Sequence, residues 1–468
     1  MRRREKMESR SLRFVAEACA GEQLGGSPEL LVARICSDSR LAQAGDLFFA
    51  IAGERFDGHD FLAEVAKKGV AAVVAKRSRI PSGLPCPVIA VDDPRRALGR
   101  LAARYREDFS LPVTVVGGSN GKTTTKDLIA SVLRQRMRTL SSEASFNNDI
   151  GVPVTLLNLE KTYEAAVLEA GTNHPGELAP LVRMAGPRFG VITNIGREHL
   201  EFFGDVAGVA EEEGWLAELL PTDGTLFVNG DGEWPERLAQ RTRAKVVRVG
   251  LSEANDWRAS RVKVSDYGVE FTVDAPRAEY LGEYRTGLIG RHQAVNSLFA
   301  LAVGAELKLS RAELEKGLAE CRPAKMRMQL WDWNGVRVLD DAYNANADST
   351  LAALETLRDM PCAGRRAVVL GDMAELGAHT QAAHEEAGRR AAQLGLERLF
   401  AVGKMAAVTA KAARTAGLPA ADEFADAEAA AAAVKDFLRP GDVILLKASR
   451  AAKLERLAEA LKAPGAVK

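Results

Sequence analysis

Short apolar runs alternate with helical segments along the whole chain. The runs at 113–116, 189–193 and 336–339 consist mainly of β-branched and aliphatic residues, which is typical of strands in a parallel sheet. The segments between such runs, for example the one that begins at Ser349, place apolar residues three or four positions apart, as amphipathic helices do. This alternation predicts an α/β fold whose sheets are covered by helices.

The length of the chain indicates three domains. A chain of 468 residues is too long for one hydrophobic core. We predict a small N-terminal α/β domain at 11–108, a central α/β domain at 109–320 and a C-terminal Rossmann-like, doubly wound domain at 321–468. The last boundary lies at Cys321-Arg-Pro323, where the proline would end the preceding helix. Residues 1–10 start with a basic stretch that no apolar run follows, and we predict a disordered extension there.

Charge and cysteine content exclude several classes of protein. The 63 basic side chains equal the 63 acidic ones, so no excess charge indicates nucleic acid or an anionic membrane as a partner. No apolar run reaches the roughly 18–20 residues that cross a bilayer. Five scattered cysteines show neither metal-binding spacing nor a disulfide framework, and they are typical of cytosolic thiols. We therefore expect a cytoplasmic protein without a membrane span or a nucleic-acid partner, and we expect a monomer.

A glycine-rich turn joins the strand at 113–116 to a helical segment of the central domain. The turn is Gly118-Ser119-Asn120-Gly121, and it continues into Lys122-Thr123-Thr124. Backbone N–H groups of such a turn bind phosphate together with the helix N-terminus, the lysine reaches the outer phosphates, and the first threonine suits Mg²⁺. The sequence therefore predicts an ATP or GTP site in a P-loop that is shorter than the strict Walker A form. The structural alternative is a glycine-rich turn with an exposed lysine.

Two polar side chains follow other strands of the central domain. Glu169 comes directly after the predicted strand at 163–168, and His199 lies in the loop after the strand at 189–193. Ligands of open α/β sheets bind at the carboxyl ends of the strands, where the P-loop also lies. With Thr123, these side chains predict a Mg²⁺ site beside the phosphates, in which His199 acts directly or through water. A structural histidine is the alternative for His199.

Two further polar positions have both a functional and a structural interpretation. Asn296 lies near the start of an apolar helix, where its amide could contact the edge of a base or cap the helix. Ser37, Asp38 and Ser39 lie just outside a strand of the first domain, where short polar residues also form turns.

The order of these motifs resembles that of the Mur ligases, a family of peptidoglycan synthesis. The P-loop at 118–124 is similar to the signature of the whole family. Asp341-Ala-Tyr-Asn-Ala-Asn346 and Gly371-Asp-Met-Ala-Glu-Leu-Gly377 resemble motifs of the members that add D-alanyl-D-alanine, and the Asp-Asn-Pro-Arg of the diaminopimelate-adding members is missing. The resemblance covers nearly the whole chain, from about residue 12 to about residue 458.

The resemblance implies an ATP- and Mg²⁺-dependent ligase that joins D-alanyl-D-alanine to UDP-N-acetylmuramoyl-tripeptide through an acyl phosphate. It also implies that the C-terminal domain closes over the site, and that catalysis depends on Lys122, Glu169 and His199. The binding residues implied in the same way are Gly118, Ser119, Asn120, Gly121, Lys122, Thr123, Thr124, Asn296, Arg327 and Asp341 for ATP, Ser37, Asp38 and Ser39 for the UDP end, and Asn344 and Asn346 for the incoming dipeptide.

One position of the implied metal site departs from the family pattern. The family has a lysine that is carbamylated to hold Mg²⁺, and this chain has Glu213 in its place. A carbamylated lysine is an anionic carboxylate on a long side chain. Our hypothesis is that the Glu213 carboxylate replaces it. Because the glutamate side chain is shorter, a water molecule could bridge it to Mg²⁺. The alternative is that Glu211, Glu212 and Glu213 form a solvated helix face.

Two other functions are compatible with the sequence. The first is another amide ligase of the same superfamily, either an amino-acid-adding Mur ligase or a folylpolyglutamate synthetase. The second is a nucleotide-dependent binding protein that performs no ligation. Comparing ADP release with D-alanyl-D-alanine and with single amino acids would distinguish the first alternative from a D-alanyl-D-alanine ligase. Detection of a ligated product by mass would distinguish a ligase from the second alternative.

Overall fold

The computed structural model describes residues 6–53, 55–418 and 420–462, and this part of the chain forms three sheets. Their strands span 6–91, 113–286 and 329–447, and the limits of the domains between the sheets remain predictions. Most strands are parallel and helices separate them along the chain, which confirms the predicted α/β class. No helix of the described ranges is long and apolar enough to cross a membrane.

The N-terminal unit holds the first sheet. Its elements are β1 (Lys6–Ser11), α1 (Leu12–Cys19), β2 (Glu22–Leu24), β3 (Leu31–Cys36), β4 (Leu47–Phe49), α2 (Leu62–Lys67), β5 (Ala72–Lys76), β6 (Val88–Val91) and α3 (Pro94–Arg106). The strand order is β1-β3-β4-β5-β6-β2. Strands β3 to β6 are parallel, while β1 and β2 pair antiparallel at the two edges.

Strand β1 shows that the predicted disorder of residues 1–10 is wrong over residues 6–10. Within it, Arg10 pairs with Val32 of β3, and Met7 is buried in the core. The basic composition of this stretch concealed an edge strand, because the partner strand lies further along the chain. Residues 1–5 lie outside the described chain.

The central unit holds the largest sheet. Its elements are β7 (Val113–Gly117), α4 (Lys122–Leu133), β8 (Thr139–Ser141), α5 (Gly151–Leu157), β9 (Ala165–Glu169), α6 (Leu178–Ala185), β10 (Phe189–Ile192), α7 (Leu200–Phe203), α8 (Val206–Glu218), β11 (Thr225–Asn229), α9 (Pro235–Gln240), β12 (Lys245–Gly250), β13 (Trp257–Ser265), β14 (Gly268–Asp274), β15 (Gly282–Thr286), α10 (Gln293–Glu306) and α11 (Arg311–Glu320). The order is β15-β14-β13-β12-β11-β10-β7-β9-β8, in which the antiparallel pairings are β13 with β14 and β14 with β15.

The C-terminal unit is doubly wound, as predicted. Its elements are β16 (Gln329–Trp333), β17 (Val336–Asp341), α12 (Ala347–Asp359), β18 (Arg366–Gly371), α13 (Thr380–Gln393), β19 (Arg398–Val402), α14 (Ala406–Thr415), β20 (Ala421–Phe424), α15 (Ala427–Phe437), β21 (Val443–Lys447) and α16 (Glu455–Lys462). The order is β16-β17-β21-β18-β19-β20, and only β16 is antiparallel. Helices cover both faces of this sheet. Val368 of β18 packs in the core formed with α12 to α14, and the next residue, Val369, packs on the other face in the core formed with α15 and α16.

The strand order β10-β7-β9 decides where the functional residues lie. Strand β7 has Glu169 of β9 opposite Val116 on one side, and Ile192 of β10 opposite Gly117 on the other. Because these strands are parallel, the loops that follow them leave the sheet at the same edge. The predicted P-loop, Glu169 and the His199 loop therefore share one end of the central sheet.

Candidate active site

The turn between β7 and α4 has the backbone of a phosphate-binding loop. Gly118 and Gly121 have φ angles of 103° and 80°, which residues with a side chain rarely adopt. A Cβ atom on Gly118 would lie 2.4 Å from Oγ1 of Thr193 in the loop after β10. Helix α4 begins at Lys122 without a side-chain cap, so its first N–H groups can bind phosphate.

The ammonium group of Lys122 lies among P-loop carbonyls and buried carboxylates. Its Nζ donates to the carbonyl oxygens of Gly118 and Ser119 and lies 3.3 Å from Oε2 of Glu198. Burial by itself lowers the pKa of Lys122, but the charges of Glu198, Glu213 and Glu169 raise this pKa overall. The alternative of an exposed lysine is wrong, since only 14% of the side chain is accessible.

Three carboxylates surround this lysine. Glu169, Glu198 and Glu213 are only 1%, 6% and 0% exposed. Oε2 of Glu169 and Oε1 of Glu213 have no hydrogen-bond partner within the described chain, and the same holds for Oγ1 of Thr123. Buried negative charge is costly without a counter-charge, and oxygen atoms of these kinds are the ligands that Mg²⁺ prefers. The donor set therefore fits a Mg²⁺ ion.

Such an ion would need ligands beyond the protein. Among the described residues, no three His, Cys, Asp or Glu side chains are arranged to hold a metal by themselves. Mg²⁺ usually keeps several waters and takes substrate phosphates as further ligands. The metal role of Thr123, Glu169, His199 and Glu213 thus stays a prediction that depends on a bound nucleotide.

Glu213 is a buried residue of α8 that faces the P-loop. Its Oε2 accepts a hydrogen bond of 2.6 Å from the backbone N–H of Gly118. Burial raises the pKa of Glu213 to about 7, although Lys122 opposes this shift. The neighbouring Glu212 is also buried and accepts hydrogen bonds from Gly176 and Leu178. The alternative of a solvated helix face is therefore wrong for Glu212 and Glu213, and only Glu211 is exposed.

His199 faces the C-terminal unit rather than Glu169. Its backbone has a φ of 48°, and its Nδ1 lies 2.5 Å from Oε2 of Glu375 in the loop after β18. Its other ring nitrogen is 3.9 Å from Glu198. Glu169 is oriented differently, because Nδ2 of Asn147 donates to its Oε1 over 2.9 Å and leaves Oε2 unpaired. The structure therefore brings both residues to one cleft without joining them directly.

The segment after β17, residues 341–346, crosses the cleft opposite the P-loop, and we call it the 341–346 strap. Asp341 starts the strap with its carboxylate 2.5 Å from Nζ of Lys447, which also donates to the carbonyl of Asn344 over 2.9 Å. Asn346 ends the strap as the N-cap of α12, and its Nδ2 donates to Oδ1 of Asn120 over 2.9 Å. Arg327 lies beside the strap, 4.2 Å from the centre of the Tyr343 ring.

Asn296 lies inside α10 rather than at its start. The helix begins at Gln293, so the capping alternative is wrong. Nδ2 of Asn296 donates to Oε1 of Gln293 over 2.9 Å. Its Oδ1 would be 2.9 Å from a Cβ atom on Gly121, which places the amide against the P-loop. Contact with a nucleotide base stays a prediction for Asn296.

The polar motif of the first unit forms a turn. Oδ1 of Asp38 accepts a hydrogen bond from the backbone N–H of Arg40 over 3.0 Å, and its Oδ2 is 2.7 Å from the Arg40 guanidinium. The carbonyl of Ser39 accepts a bond of 2.7 Å from Lys68. Ser37, Asp38 and Ser39 do not line the cleft that contains the P-loop. Their role in binding UDP stays a prediction.

A single cleft of about 1970 Å³ receives residues from all three units. Its lining includes Arg95 and Arg96 of α3 in the N-terminal unit and Lys447 of β21 in the C-terminal unit. The predicted residues that line it are Ser119, Asn120, Gly121, Lys122, Thr123, Thr124, Glu169, His199, Asn296, Arg327, Asp341, Asn344 and Asn346. Gly118 and Glu213 lie directly behind this surface, joined by their hydrogen bond.

Two residues of the site were missed by sequence reasoning. Glu198 is the carboxylate nearest to Lys122, and Glu375 bonds His199. Glu198 could have been found, because it directly precedes His199 in the polar loop after β10. Glu375 lies within the motif Gly371–Gly377, but no local pattern pairs it with His199, which is 176 residues away along the chain.

Fold and cleft together define a P-loop nucleotide-binding protein built of three α/β units. Three family models match consecutive parts of the chain: "Mur ligase family, catalytic domain" at 32–106, "Mur ligase middle domain" at 116–304 and "Mur ligase, glutamate ligase domain" at 326–450. The chain belongs to the Mur ligase family, which confirms the resemblance seen in its motifs.

Similar proteins match over nearly their whole length. The UDP-N-acetylmuramoyl-tripeptide--D-alanyl-D-alanine ligase of Escherichia coli (strain K12) is 35% identical, over 98% of this chain and 100% of that protein. A crystal structure of MurF from Acinetobacter baumannii has a TM-score of 0.89 at 29% identity, covering 97% of this chain and 99% of that one. The structure of MurF ligase from Thermotoga maritima in complex with ADP has a TM-score of 0.80 at 27% identity. The match covers 92% of this chain and 97% of that one.

Proposed function

We propose that this protein is an ATP-dependent ligase that joins D-alanyl-D-alanine to UDP-N-acetylmuramoyl-tripeptide in the synthesis of peptidoglycan precursors. The observation that carries the proposal is the meeting of the P-loop and the 341–346 strap through Asn120 and Asn346. The strap has the sequence that resembles the D-alanyl-D-alanine-adding members. The relative from Escherichia coli, which matches over its full length, is named for this activity.

The reaction requires activation of a carboxylate, which is a poor electrophile at neutral pH. An oxygen of the tripeptide carboxylate attacks the γ-phosphorus of ATP, the bond from this phosphorus to the β–γ bridging oxygen breaks, and ADP leaves. The amine of the dipeptide then attacks the carbonyl carbon of the acyl phosphate. The tetrahedral intermediate releases inorganic phosphate and a proton and leaves an amide. Catalysis of this kind depends mainly on positioning and on stabilising negative charge.

The P-loop supplies the charge stabilisation. Lys122 holds its ammonium group at the turn, and α4 begins there without a side-chain cap, so its first N–H groups are available to phosphate. Thr123, Glu169, His199 and Glu213 would hold Mg²⁺, which when bound neutralises phosphate charge. The unpaired oxygens of Thr123, Glu169 and Glu213 support this assignment. Glu213 in particular takes the place of the carbamylated lysine.

The remaining contacts are proposed from the cleft and from the family resemblance. The lining of the cleft supports the contacts of Asn296, Arg327 and Asp341 with the nucleotide, and those of Asn344 and Asn346 with the dipeptide. For Ser37, Asp38 and Ser39 at the UDP end, the support is the resemblance alone. We also propose a cytoplasmic monomer. Its five cysteines, all of them thiols, support the cytoplasm, and light scattering of the purified protein would test the monomer.

The test is a panel of UDP-N-acetylmuramoyl tripeptides that differ in the third residue, each assayed with ATP, Mg²⁺ and D-alanyl-D-alanine. We expect ADP release together with a product whose mass equals tripeptide plus dipeptide minus water. Single amino acids and glutamate with a folate acceptor serve as competing substrates.

The outcomes separate the alternatives. Ligation of a single amino acid in preference to the dipeptide would assign the protein to another ligase of the family. Release of ADP without any ligated product would favour a nucleotide-dependent binding protein. Either result overturns the proposed function.

A further inference from the structure

The segment 196–199, between β10 and α7, contacts two units at once. On one side, Gly196 exchanges hydrogen bonds with Ser119 of the P-loop, the shorter being 2.8 Å from its N–H to Oγ. Glu198 lies 3.3 Å from Lys122 on the same side. Arg197, between them, contacts the C-terminal unit instead. The segment therefore connects the nucleotide-binding turn to the opposite wall of the cleft.

Arg197 makes four short polar contacts across this boundary. Its backbone N–H donates to Oδ2 of Asp348, and its Nε and Nη2 each lie 2.7 Å from Oδ1 of the same carboxylate. Its Nη1 donates to Oε2 of Glu386 on α13 over 2.7 Å. A guanidinium that binds a carboxylate through two nitrogens fixes orientation as well as distance. The approach is close, because a Cβ atom on Gly196 would lie 2.6 Å from Oδ2 of Asp348.

The position of Asp348 gives these contacts a function. Asp348 lies in the first turn of α12, two residues after the N-cap Asn346. Whatever fixes the start of α12 also fixes the end of the 341–346 strap, and with it the contact of Asn346 with Asn120. The strap is the part of the C-terminal unit proposed to meet the dipeptide.

We propose that Arg197 is a positioning residue, which docks the start of α12 onto the nucleotide-binding loop and thereby places the 341–346 strap over the P-loop. The docking follows from the contacts alone, while its consequence for the dipeptide rests on the proposed function. Arg197 itself lies outside the group of residues that contact the reacting atoms.

A solvated ion pair is the opposing interpretation. The side chains of Arg197, Asp348 and Glu386 are about a third exposed, and isolated pairs of this kind contribute little. A matched pair exists on the same two helices, where Nη2 of Arg390 lies 2.8 Å from Oε1 of Glu355 at similar exposure. That pair lies wholly within the C-terminal unit, so its loss cannot affect docking directly.

The experiment compares Arg197→Met with the control Arg390→Met in the full-length protein. Small-angle scattering reports closure without any reaction, and steady-state assays give KM for D-alanyl-D-alanine, KM for ATP and kcat. For Arg197→Met we expect a larger radius of gyration and a KM for the dipeptide raised about tenfold, the equivalent of one charge-assisted contact. KM for ATP should rise less, because the P-loop holds the nucleotide chiefly within the central unit. Arg390→Met should change neither quantity.

Further variants test whether Arg197 acts through Asp348. In the Asp348→Asn background, Arg197→Met should add little, since residues that share one contact are not additive. Arg197→Lys keeps the positive charge but lacks the planar guanidinium. Its KM for the dipeptide should lie between those of the wild type and Arg197→Met. Should Arg197→Met fail to fold, Arg197→Lys and Asp348→Asn provide the same comparison.

An unchanged radius of gyration and an unchanged dipeptide KM in these variants would overturn the proposal. Equal effects of Arg390→Met would overturn it too, because they would indicate general weakening of α12 and α13. If the wild-type protein ligates no dipeptide, the proposed function fails, and scattering alone still decides whether Arg197 docks the two units.

Discussion

Asn346 donates a hydrogen bond to Asn120 across the cleft, although 226 residues separate them in the chain. The same Asn346 side chain caps α12, through a capping box with Ser349. One residue therefore ends the strap, starts a helix and contacts the nucleotide-binding turn. This relationship suggests a variant whose effects on stability and on activity can be distinguished by a matched control.

Asn346→Ala should lower both stability and activity. Loss of an N-cap costs about 1 kcal/mol of unfolding free energy, which denaturant titration would measure. The lost contact with Asn120 should in addition raise KM for the dipeptide. Asp426→Ala is the control, because Asp426 caps α15 in the same way but does not line the cleft. It should show the stability loss with normal kinetics, and equal kinetic defects in both variants would contradict the role of the strap.

Lys122→Met should abolish most turnover while the protein stays folded. The variant keeps the aliphatic stem and removes the ammonium group that lies at the P-loop turn. Loss of a charge-stabilising donor typically lowers kcat by about 100-fold or more. Release of ADP measures the effect, with the exposed Lys411 changed to Met as the control. Retention of more than about a tenth of the wild-type kcat would argue against a phosphate-binding role.

Glu213→Gln should weaken the binding of Mg²⁺ without weakening the fold. The amide oxygen can still accept the hydrogen bond from Gly118, and the buried negative charge is lost. We expect unfolding in the absence of metal at an equal or higher denaturant concentration, because burial disfavours the charged form of this carboxylate and raises its pKa to about 7. We also expect that turnover will require more Mg²⁺ for half saturation. Glu211→Gln, on the exposed side of the same helix, is the control.

The same Mg²⁺ titration tests the hypothesis that Glu213 replaces the carbamylated lysine. An unchanged Mg²⁺ titration in Glu213→Gln would show that this carboxylate does not help to hold the ion. A metal-dependent rise in Tm with ADP present offers a second measurement that does not depend on turnover.

Asp442→Asn should destabilise the C-terminal unit in a pH-dependent manner. Burial by itself raises the pKa of Asp442, but hydrogen bonds from Arg365 and Arg439 lower this pKa overall. A depressed folded-state pKa stabilises the protein above the unfolded value of about 3.9, and this stabilisation is lost as the pH falls through the folded value. At pH 7 the variant should lose about 1–3 kcal/mol of unfolding free energy.

Denaturant unfolding of wild type and variant between pH 7 and pH 3 checks this sign. The difference in unfolding free energy should be constant at neutral pH and should shrink as the pH falls below about 4. Asp436→Asn, at an exposed position of α15, should be indistinguishable from wild type at every pH. A difference for Asp442→Asn that does not change with pH would contradict the assigned cause.

Many elements were predictable because their causes are local. The apolar runs predicted at 113–116 and 336–339 lie within the strands Val113–Gly117 and Val336–Asp341. Glu169 and the P-loop share a sheet edge, as the ends of parallel strands require. Strands β13 to β15 were less apparent, because their buried and exposed residues alternate and give no continuous apolar run.

The sequence by itself determined the three α/β units, the nucleotide-binding turn and the family. Each of these depends on contiguous residues, namely apolar runs, glycine positions and short motifs. Tertiary structure alone decided that Glu213 is buried against Gly118, that β1 is an edge strand, and that Arg197 reaches Asp348. Burial and ion pairing at these positions depend on surfaces that come from distant parts of the chain, and no local pattern of residues encodes which surfaces meet.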